Sequence, residues 1–131
     1  MLSEKNILLI DDDEISNFIS AKTIETISPV KKINACSNPQ KALYKLKKQL
    51  DANTGEFPDL IFLDINMPLM DGWQFLEEFE KFPEDTIKEC KVFILSTSLD
   101  PSDIKKAASF KAASGFISKP LTPEKLSALY N

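Results

Sequence analysis

The stretch that decides the fold is residues 59–72, which read DLIFLDINMPLMDG. The apolar residues 60–63 predict a buried strand, and this strand ends on a single carboxylate, Asp64. Pro68 and Gly72 then predict a turn that directs the chain away from the strand. Because packing gives a buried strand no reason to end on an acid, Asp64 is a candidate functional residue.

Two other apolar segments also run into charged residues. Residues 7–10 (ILLI) precede residues 11–13 (DDD), and residues 115–118 (GFIS) precede Lys119. In an open parallel sheet, ligands bind beyond the carboxyl ends of the strands. Clustered carboxylates repel one another unless a cation compensates them, and Mg²⁺ prefers hard oxygen ligands that it often shares with phosphate. The pattern therefore predicts a site for a metal ion and a phosphate, with Lys119 placed to contact a phosphoryl oxygen.

The bulk composition excludes several classes of function. A chain of 131 residues fits one domain, and 43% hydrophobic residues with a net charge of -4 argue against nucleic-acid binding. The sequence has no signal-peptide pattern and no apolar run long enough to span a membrane, and Cys36 and Cys90 are typical of buried thiols in a reducing compartment. We therefore expect a cytoplasmic protein. The absence of histidine from the sequence excludes Ser/His/Asp catalysis and histidine-ligated zinc.

Short apolar segments alternate with helical patterns along the whole chain. This alternation predicts an α/β fold, a doubly wound five-stranded parallel sheet with helices on both faces. We expect five helices, of which the first starts at Glu14 and the last two open at Asp100 and Thr122, each a capping residue followed by proline. The residues of the first helix that the spacing predicts to face the core are Ile15, Phe18, Ile19 and Ile27.

The predicted site suits phosphoryl transfer. That reaction requires mainly positioning and charge neutralisation, and a carboxylate can serve as its nucleophile. Asp64 stands alone on its strand and is the best candidate for the nucleophile, whereas Asp11 and Asp12 are paired and better suited to hold a metal ion. A hydroxyl that donates to the phosphate is expected just after the fourth strand, within residues 96–98 (STS).

With these motifs the chain resembles the receiver domain of a two-component response regulator. The resemblance covers essentially residues 1–131 and rests on residues 10–13 (IDDD), residues 63–72 (LDINMPLMDG), Ser96 and Lys119 with the proline after it. It implies a flavodoxin-like sheet with the strand order 2-1-3-4-5. It also implies one receiver domain with no output domain.

The resemblance assigns a role to each candidate residue. It implies the phosphoacceptor Asp64, the Mg²⁺ ligands Asp11, Asp12, Asp64 and the backbone carbonyl of Asn66, the phosphoryl contact Lys119 with a cis bond to Pro120, and the switch residues Ser96 and Phe116. Counting back from Lys119 selects Thr97 as the switch hydroxyl, because the chain carries one residue more than common family members. We place the extra residue near residues 110–113 and favour Ser96.

The implied function is that of a stand-alone response regulator. A histidine kinase or histidine phosphotransfer protein would phosphorylate Asp64 in a Mg²⁺-dependent reaction, and the regulator would signal by altered binding to an unknown downstream protein through its fourth helix, fifth strand and fifth helix. The chain is not expected to be an enzyme beyond catalysing its own phosphorylation and dephosphorylation, and no nucleic acid or membrane partner is expected.

Two alternatives remain open at this point. The first is a degenerate receiver that acts as a phosphorylation-independent interaction module. The second is a phosphatase, since residues 11–13 also match the Asp-x-Asp start of haloacid-dehalogenase-like enzymes, with Asp11 as the nucleophile and Asp13 as the acid-base.

Overall fold

The computed structural model describes residues 5–27, 30, 32–98 and 100–129. Within these residues the chain forms five strands and six helices. The strands are β1 (Asn6–Ile10), β2 (Lys32–Cys36), β3 (Leu60–Asp64), β4 (Lys91–Ser96) and β5 (Ala113–Ser118). The helices are α1 (Glu14–Ile27), α2 (Pro39–Ala52), α3 (Gly72–Phe79), α4 (Glu84–Glu89), α5 (Pro101–Ala108) and α6 (Pro123–Ala128).

The strands form one parallel sheet in the order β2-β1-β3-β4-β5, which confirms the predicted fold class and strand order. β3 is buried along its whole length, as its apolar sequence predicts for a central strand. The register pairs Ile10 with Leu63 and Asp64 with Leu95. The carboxyl ends of β1, β3 and β4 therefore meet at one edge of the sheet.

Helices cover both faces of the sheet. The larger core cluster lies under α2, α3, α4 and α5 and includes Phe75 and Phe79. The smaller cluster lies under α1 and α6, which contribute Ile24 and Leu126. Strong burial on both faces holds the carboxyl edge in a fixed position and leaves its loops free to carry polar residues.

The prediction for the inward face of α1 was wrong. Ile15, Phe18 and Ile19 are 71%, 62% and 52% exposed, and of the four predicted residues Ile27 alone packs against the core. The residues of α1 that are buried are Asn17, Ser20 and Ile24. Apolar spacing identifies residues that share a helix face, but it does not determine which face the core covers. Here a polar face can turn inward because Asn17 has a hydrogen-bond partner there.

The helix count differs from the prediction by one. α3 ends at Phe79, and Pro83 precedes a short additional helix, α4, which buries Ile87. The predicted caps are present: the Asp100 carboxylate accepts from the N–H of Ser102, and the Thr122 hydroxyl accepts from the N–H of Lys125. α4 has no side-chain cap, so it lacks the capping residue that marks the starts of α5 and α6 in the sequence.

β5 contains a bulge. Val92 pairs with Ala113 and Phe93 with Gly115, which leaves Ser114 without a partner in β4. The bulge lies directly after residues 110–113, where we had placed one extra residue. It restores the pairing beyond it, so that Ser96 lies beside Ser118.

Two expectations from composition can be compared with the structure. Cys36 and Cys90 are both buried and free, as predicted. No helix among the described residues is long and apolar enough to cross a membrane.

Candidate functional site

Three carboxylates meet at the carboxyl edge of the sheet. Asp11 and Asp12 follow β1, Asp64 is the last residue of β3, and one carboxylate oxygen from each lies within 4.8 Å of the others. Asp11 and Asp64 are buried, whereas Asp12 is exposed. The edge therefore concentrates negative charge in a place where water screens it poorly.

Lys119 supplies the opposing charge. It follows β5, and its Nζ donates to Asp11 Oδ2 at 2.6 Å and lies 3.5 Å from Asp64 Oδ1. The backbone N–H of Lys119 donates to the carbonyl of Ser96 at 2.8 Å, and its peptide bond to Pro120 is cis, as the resemblance implied. One ammonium thus bridges carboxylates from two strands.

The electrostatics of this cluster shift two pKa values. Burial of Asp64 and the negative charge of Asp11 raise the pKa of its carboxyl from 3.8 to about 6, against the opposing charge of Lys119. Burial opposes the charge of Lys119, but its hydrogen bond to Asp11 and the charge of Asp64 outweigh burial and raise its pKa above the ordinary value. The charged form of Asp64 is therefore disfavoured unless a further cation is added, and Lys119 remains charged.

The loop after β1 is fixed by several hydrogen bonds, of which the sequence predicts only the cap of α1 by Asp12 or Asp13. The buried Asn17 side chain donates from Nδ2 to the carbonyl of Asp11 at 3.0 Å, and the N–H of Asp11 donates to the carbonyl of Cys36. The Asp13 carboxylate accepts from the N–H of Ile15 and caps α1. Asp13 therefore lies outside the carboxylate cluster, which removes the acid-base group that the phosphatase alternative requires.

The turn from β3 into α3 requires glycine at one position. A Cβ on Gly72 would lie 2.7 Å from Ile65 Cα and 2.9 Å from the carbonyl oxygen of Asp64. Glycine thus allows the start of α3 to approach the end of β3. Asp71 and Gln74 cap this helix with a reciprocal pair of hydrogen bonds.

Leu69 is the unusual residue of the same loop. It has a φ of 67°, a left-handed conformation that costs a residue with a Cβ free energy, and it is 92% exposed. A large apolar side chain is thus held in solvent beside the site by a strained backbone. Because such conformations cluster at active sites and switch regions, Leu69 is a candidate functional residue.

The hydroxyl candidates differ in placement. Ser96 is the last residue of β4 and is fully buried, and its Oγ accepts from the N–H of Ser98 at 3.1 Å. Thr97 lies beyond the strand and is exposed. Phe116 is half-buried and pairs with Ile94 in the sheet. Ser96 is therefore the hydroxyl that the sheet itself holds at the carboxyl edge.

Side chains of α3 and of Glu80, the residue after it, contact the segments around α5. The Trp73 ring stacks on Phe110 with centroids 5.9 Å apart, and Lys106 Nζ lies 5.1 Å from the centroid of the Trp73 ring. The Glu80 carboxylate accepts from the N–H of Ala112 at 2.8 Å. The helix that starts beside Asp64 is thus in direct contact with α5 and the chain entering β5.

The donor set fits a magnesium ion. Three carboxylates supply the hard oxygen ligands that Mg²⁺ prefers. The raised pKa of Asp64 reflects its burial and the negative charge of Asp11, which Lys119 only partly offsets. Asn66, whose backbone the resemblance assigns to the metal, follows Asp64 by two residues and is exposed. Its backbone forms a hydrogen bond that lowers the pKa of Asp64, which places it at the same edge.

The sheet order, the acidic cluster and the bridging lysine define a flavodoxin-like α/β protein whose carboxyl edge is suited to a divalent cation and a phosphoryl group. The family model of the response regulator receiver domain matches residues 7–131. The chain belongs to this family.

Individual relatives agree with this assignment. The nitrate/nitrite response regulator protein NarL of Escherichia coli (strain K12) is 31% identical over 120 residues, which are 92% of this chain and 50% of NarL. The chain therefore spans half the length of that relative. The response regulator Rcp1 of Synechocystis is 27% identical over 100 residues, covering 76% of this chain and 67% of Rcp1.

Solved structures agree as well. A two-component response regulator from Cytophaga hutchinsonii has a TM-score of 0.89 at 35% identity, over 98% of this chain and 96% of that chain. The chemotaxis protein CheY4 of Vibrio cholerae has a TM-score of 0.76 at 23% identity, over 97% and 96% of the two chains, and shares the fold.

Proposed function

We propose that this chain is a phosphoacceptor of two-component signalling. Asp64 accepts a phosphoryl group from a histidine kinase or histidine phosphotransfer protein in a Mg²⁺-dependent reaction, and the modified protein signals through changed binding to another protein. One observation carries the proposal. The buried Asp64 lies in a cluster of carboxylates, and Lys119 bridges it to Asp11, so a nucleophile and a neutralising cation meet at the carboxyl edge of the sheet.

The reaction assigns a step to each side chain. A carboxylate oxygen of Asp64 attacks the phosphorus of a phosphohistidine, the P–N bond breaks, and the electron pair of that bond returns to the imidazole. With a pKa of about 6, Asp64 is mostly ionised at neutral pH and available as the nucleophile. The Lys119 ammonium contacts a phosphoryl oxygen, and Ser96 Oγ donates to another.

The proposed cation completes the charge balance. Asp11, Asp12, Asp64 and the carbonyl of Asn66 would hold Mg²⁺, which when bound neutralises charge on the carboxylates and the phosphoryl oxygens. Asp11 also fixes Lys119 through their 2.6 Å hydrogen bond. The same carboxylate thus serves the metal and the lysine.

The donor protein is proposed to dock on an apolar surface beside the site. Four large apolar side chains are exposed near the carboxyl edge, three in the first half of α1 and one in the loop after β3: Ile15, Phe18, Ile19 and Leu69. Both segments follow strands that end in the carboxylate cluster. A donor that covers this surface would bring its phosphohistidine to Asp64 and bury these side chains.

The output is proposed to leave through α5, β5 and α6. Drawing Ser96 toward a phosphoryl group would break the hydrogen bond that its Oγ now accepts from Ser98. That change would alter the space beside Phe116 on the neighbouring strand, while Ile104 on α5 is exposed to a partner. The proposed response is a local charge change with a distant effect on binding.

The test is intact mass after incubation with Mg²⁺ and acetyl phosphate. Wild type should gain one phosphoryl group, Asp64→Asn should gain none, and EDTA should prevent the gain. Asp71→Asn is the matched control: it removes another carboxyl from the same loop but keeps the helix cap, since asparagine caps as well as aspartate. A folded wild type that gains nothing would contradict the proposal and favour phosphorylation-independent binding.

The docking surface is tested separately with a phosphorylated histidine phosphotransfer protein as the donor. Phe18→Ser should slow transfer from this protein by about tenfold or more, as expected when an exposed aromatic anchor is lost. Phosphorylation by acetyl phosphate should not change, because that small donor needs no docking surface. If the protein donor phosphorylates Phe18→Ser at the wild-type rate, the donor docks elsewhere.

A further inference from the structure

A second lysine, Lys125 on α6, holds the backbone on both sides of Lys119. Its Nζ donates to the carbonyl of Ser118 at 2.8 Å, to the Ser118 hydroxyl at 3.0 Å and to the carbonyl of Pro120 at 3.0 Å. An ammonium has three protons, so these bonds use its full donor capacity. Lys125 thus fixes the residue before Lys119 and the residue after it.

The segment that Lys125 fixes also contacts the other proposed phosphoryl ligand. The N–H of Lys119 donates to the carbonyl of Ser96 at 2.8 Å, and Ser118 pairs with Ser96 in the sheet. The position of residues 118–120 therefore determines where the Lys119 ammonium and the end of β4 lie relative to Asp64.

α6 is a firm support for this contact. Leu126, the residue after Lys125, is 1% exposed in the core cluster under α1 and α6. The N–H of Lys125 is itself held by the Thr122 cap. The helix is thus anchored at the next residue, and the Lys125 side chain extends from a fixed point to the loop.

We propose that Lys125 is a positioning residue of the phosphoryl site, acting by holding residues 118–120 so that Lys119 meets the phosphoryl group on Asp64. The inference rests on the proposed function. Lys125 touches none of the reacting atoms in this role. Because misplacement of a reacting group by about 1 Å can cost about 100-fold in rate, loss of these three hydrogen bonds has a measurable effect.

The test compares wild type with Lys125→Met, which keeps the length of the side chain and removes its donors. The rate of phosphorylation by acetyl phosphate and the affinity for beryllofluoride, an analogue of the phosphoryl group, should each fall about tenfold or more. The affinity for Mg²⁺ measured by calorimetry should be unchanged, because the carboxylates that would hold it do not contact Lys125. Hydrogen exchange at the Lys119 N–H should accelerate, since its bond to Ser96 loses support.

Two control variants separate positioning from other effects. Lys105→Met removes the same charge from an exposed site on α5 and should match wild type. Thr122→Ala removes the cap of α6 but keeps the Lys125 ammonium, and should lower the affinities for beryllofluoride and Mg²⁺ little.

Three outcomes would decide against the proposal or separate it from the function on which it rests. The proposal is overturned if Lys125→Met is phosphorylated at the wild-type rate and its Lys119 N–H exchanges at the wild-type rate. The proposal is also overturned if Lys125→Met and Thr122→Ala lose affinity for Mg²⁺ and for beryllofluoride to the same extent. Lys125 would then act only through the stability of α6. If wild type takes up no phosphoryl group, the proposed function fails, and the exchange rate at Lys119 still decides whether Lys125 holds the loop.

Discussion

α1 and α3 both start near the carboxylate cluster, but the first half of α1 buries polar residues where α3 buries apolar ones. Each follows a strand that ends in the carboxylate cluster, and each carries apolar residues at helical spacing. In α3 the apolar residues Phe75, Leu76 and Phe79 are fully buried. In α1 the apolar residues of the first half are exposed, and Asn17 and Ser20 are buried in their place.

The difference shows that one sequence pattern can serve two purposes. The apolar residues of α3 are used within the fold, where burial of each large side chain stabilises it by about 1.5–3 kcal/mol. Those in the first half of α1 stabilise the fold little, because they remain in water. We interpret them as a surface for a partner, and the buried Asn17 as the link between α1 and the site.

The largest effect is expected from truncating one aromatic residue in each helix. Phe75→Ala on α3 should lower the free energy of unfolding by about 3–5 kcal/mol, because it leaves a cavity in the core. Phe18→Ala on α1 should change it by no more than about 0.5 kcal/mol. Urea unfolding followed by circular dichroism measures both. A large loss in Phe18→Ala would mean that α1 buries its aromatic residue in solution and would remove the contrast.

The strand ahead of α3 ends in Asp64, whose carboxyl group makes the stability of the fold depend on pH. The pKa of Asp64 is about 6 in the folded protein against 3.8 as the ordinary value, so the folded state binds this proton more tightly than the unfolded state. The Asp64 carboxyl therefore makes its full contribution to stability below about pH 4. As the pH rises through 6 that contribution is lost, which lowers the free energy of unfolding by at most about 3 kcal/mol.

In metal-free buffer, the free energy of unfolding of Asp64→Asn should exceed that of wild type by more at pH 8 than at pH 4.5. Urea unfolding in EDTA at the two pH values measures the difference. Adding Mg²⁺ at pH 8 should stabilise wild type more than the variant. A difference between the two proteins that does not depend on pH would show that Asp64 has an ordinary pKa.

Replacing the buried Asn17 tests whether the inward face of α1 needs a polar residue. If α1 were an ordinary amphipathic helix, leucine at an inward position would stabilise it. We expect Asn17→Leu to destabilise the protein by about 1 kcal/mol instead, because the buried carbonyl of Asp11 loses its donor. Thermal unfolding measures this, with Ser16→Ala at a neighbouring position as the control. A stabilised Asn17→Leu would show that the hydrogen bond contributes nothing.

The smallest effect concerns Leu69, whose exposed side chain belongs with the apolar surface of α1 rather than with the core under α3. Leu69→Gly should raise the free energy of unfolding by about 0.5–1 kcal/mol, since glycine relieves the left-handed backbone but gains freedom in the unfolded chain. Phosphoryl transfer from a histidine phosphotransfer protein to Leu69→Gly should be slower than to wild type. A destabilised variant would indicate that the leucine side chain contributes to the fold.

Much of the architecture was predictable from the sequence. The alternation of apolar segments with capped helical patterns predicted the parallel sheet, and proline after Asp100 and Thr122 marked two helix starts. The candidate site was predictable because its side chains follow the strands directly. The rule that ligands bind beyond the carboxyl ends of parallel strands was enough to predict that Asp11, Asp64 and Lys119 lie together.

What the sequence did not predict depends on contacts between distant segments. The inward face of α1 depends on whether a buried polar side chain finds a partner, and Asn17 finds it in a backbone carbonyl, which carries no sequence signal. The acceptors of Lys125 are also chiefly carbonyls. α4 is short and lacks a side-chain cap, so it has little local signal. The bulge at Ser114 depends on how β5 pairs with β4, which local propensity does not determine.

The stack between Trp73 and Phe110 gives this protein an intrinsic optical reporter. The chain contains one tryptophan, so its fluorescence at long excitation wavelength comes from a single ring. Trp73 follows the cap of α3 by two residues, and its ring contacts both Phe110 and the ammonium of Lys106. A shift of α5 relative to α3 changes what quenches the indole, and the unlabelled protein can therefore be followed in real time by emission intensity, with Lys106→Met as the variant that alters the signal and spares the carboxylates.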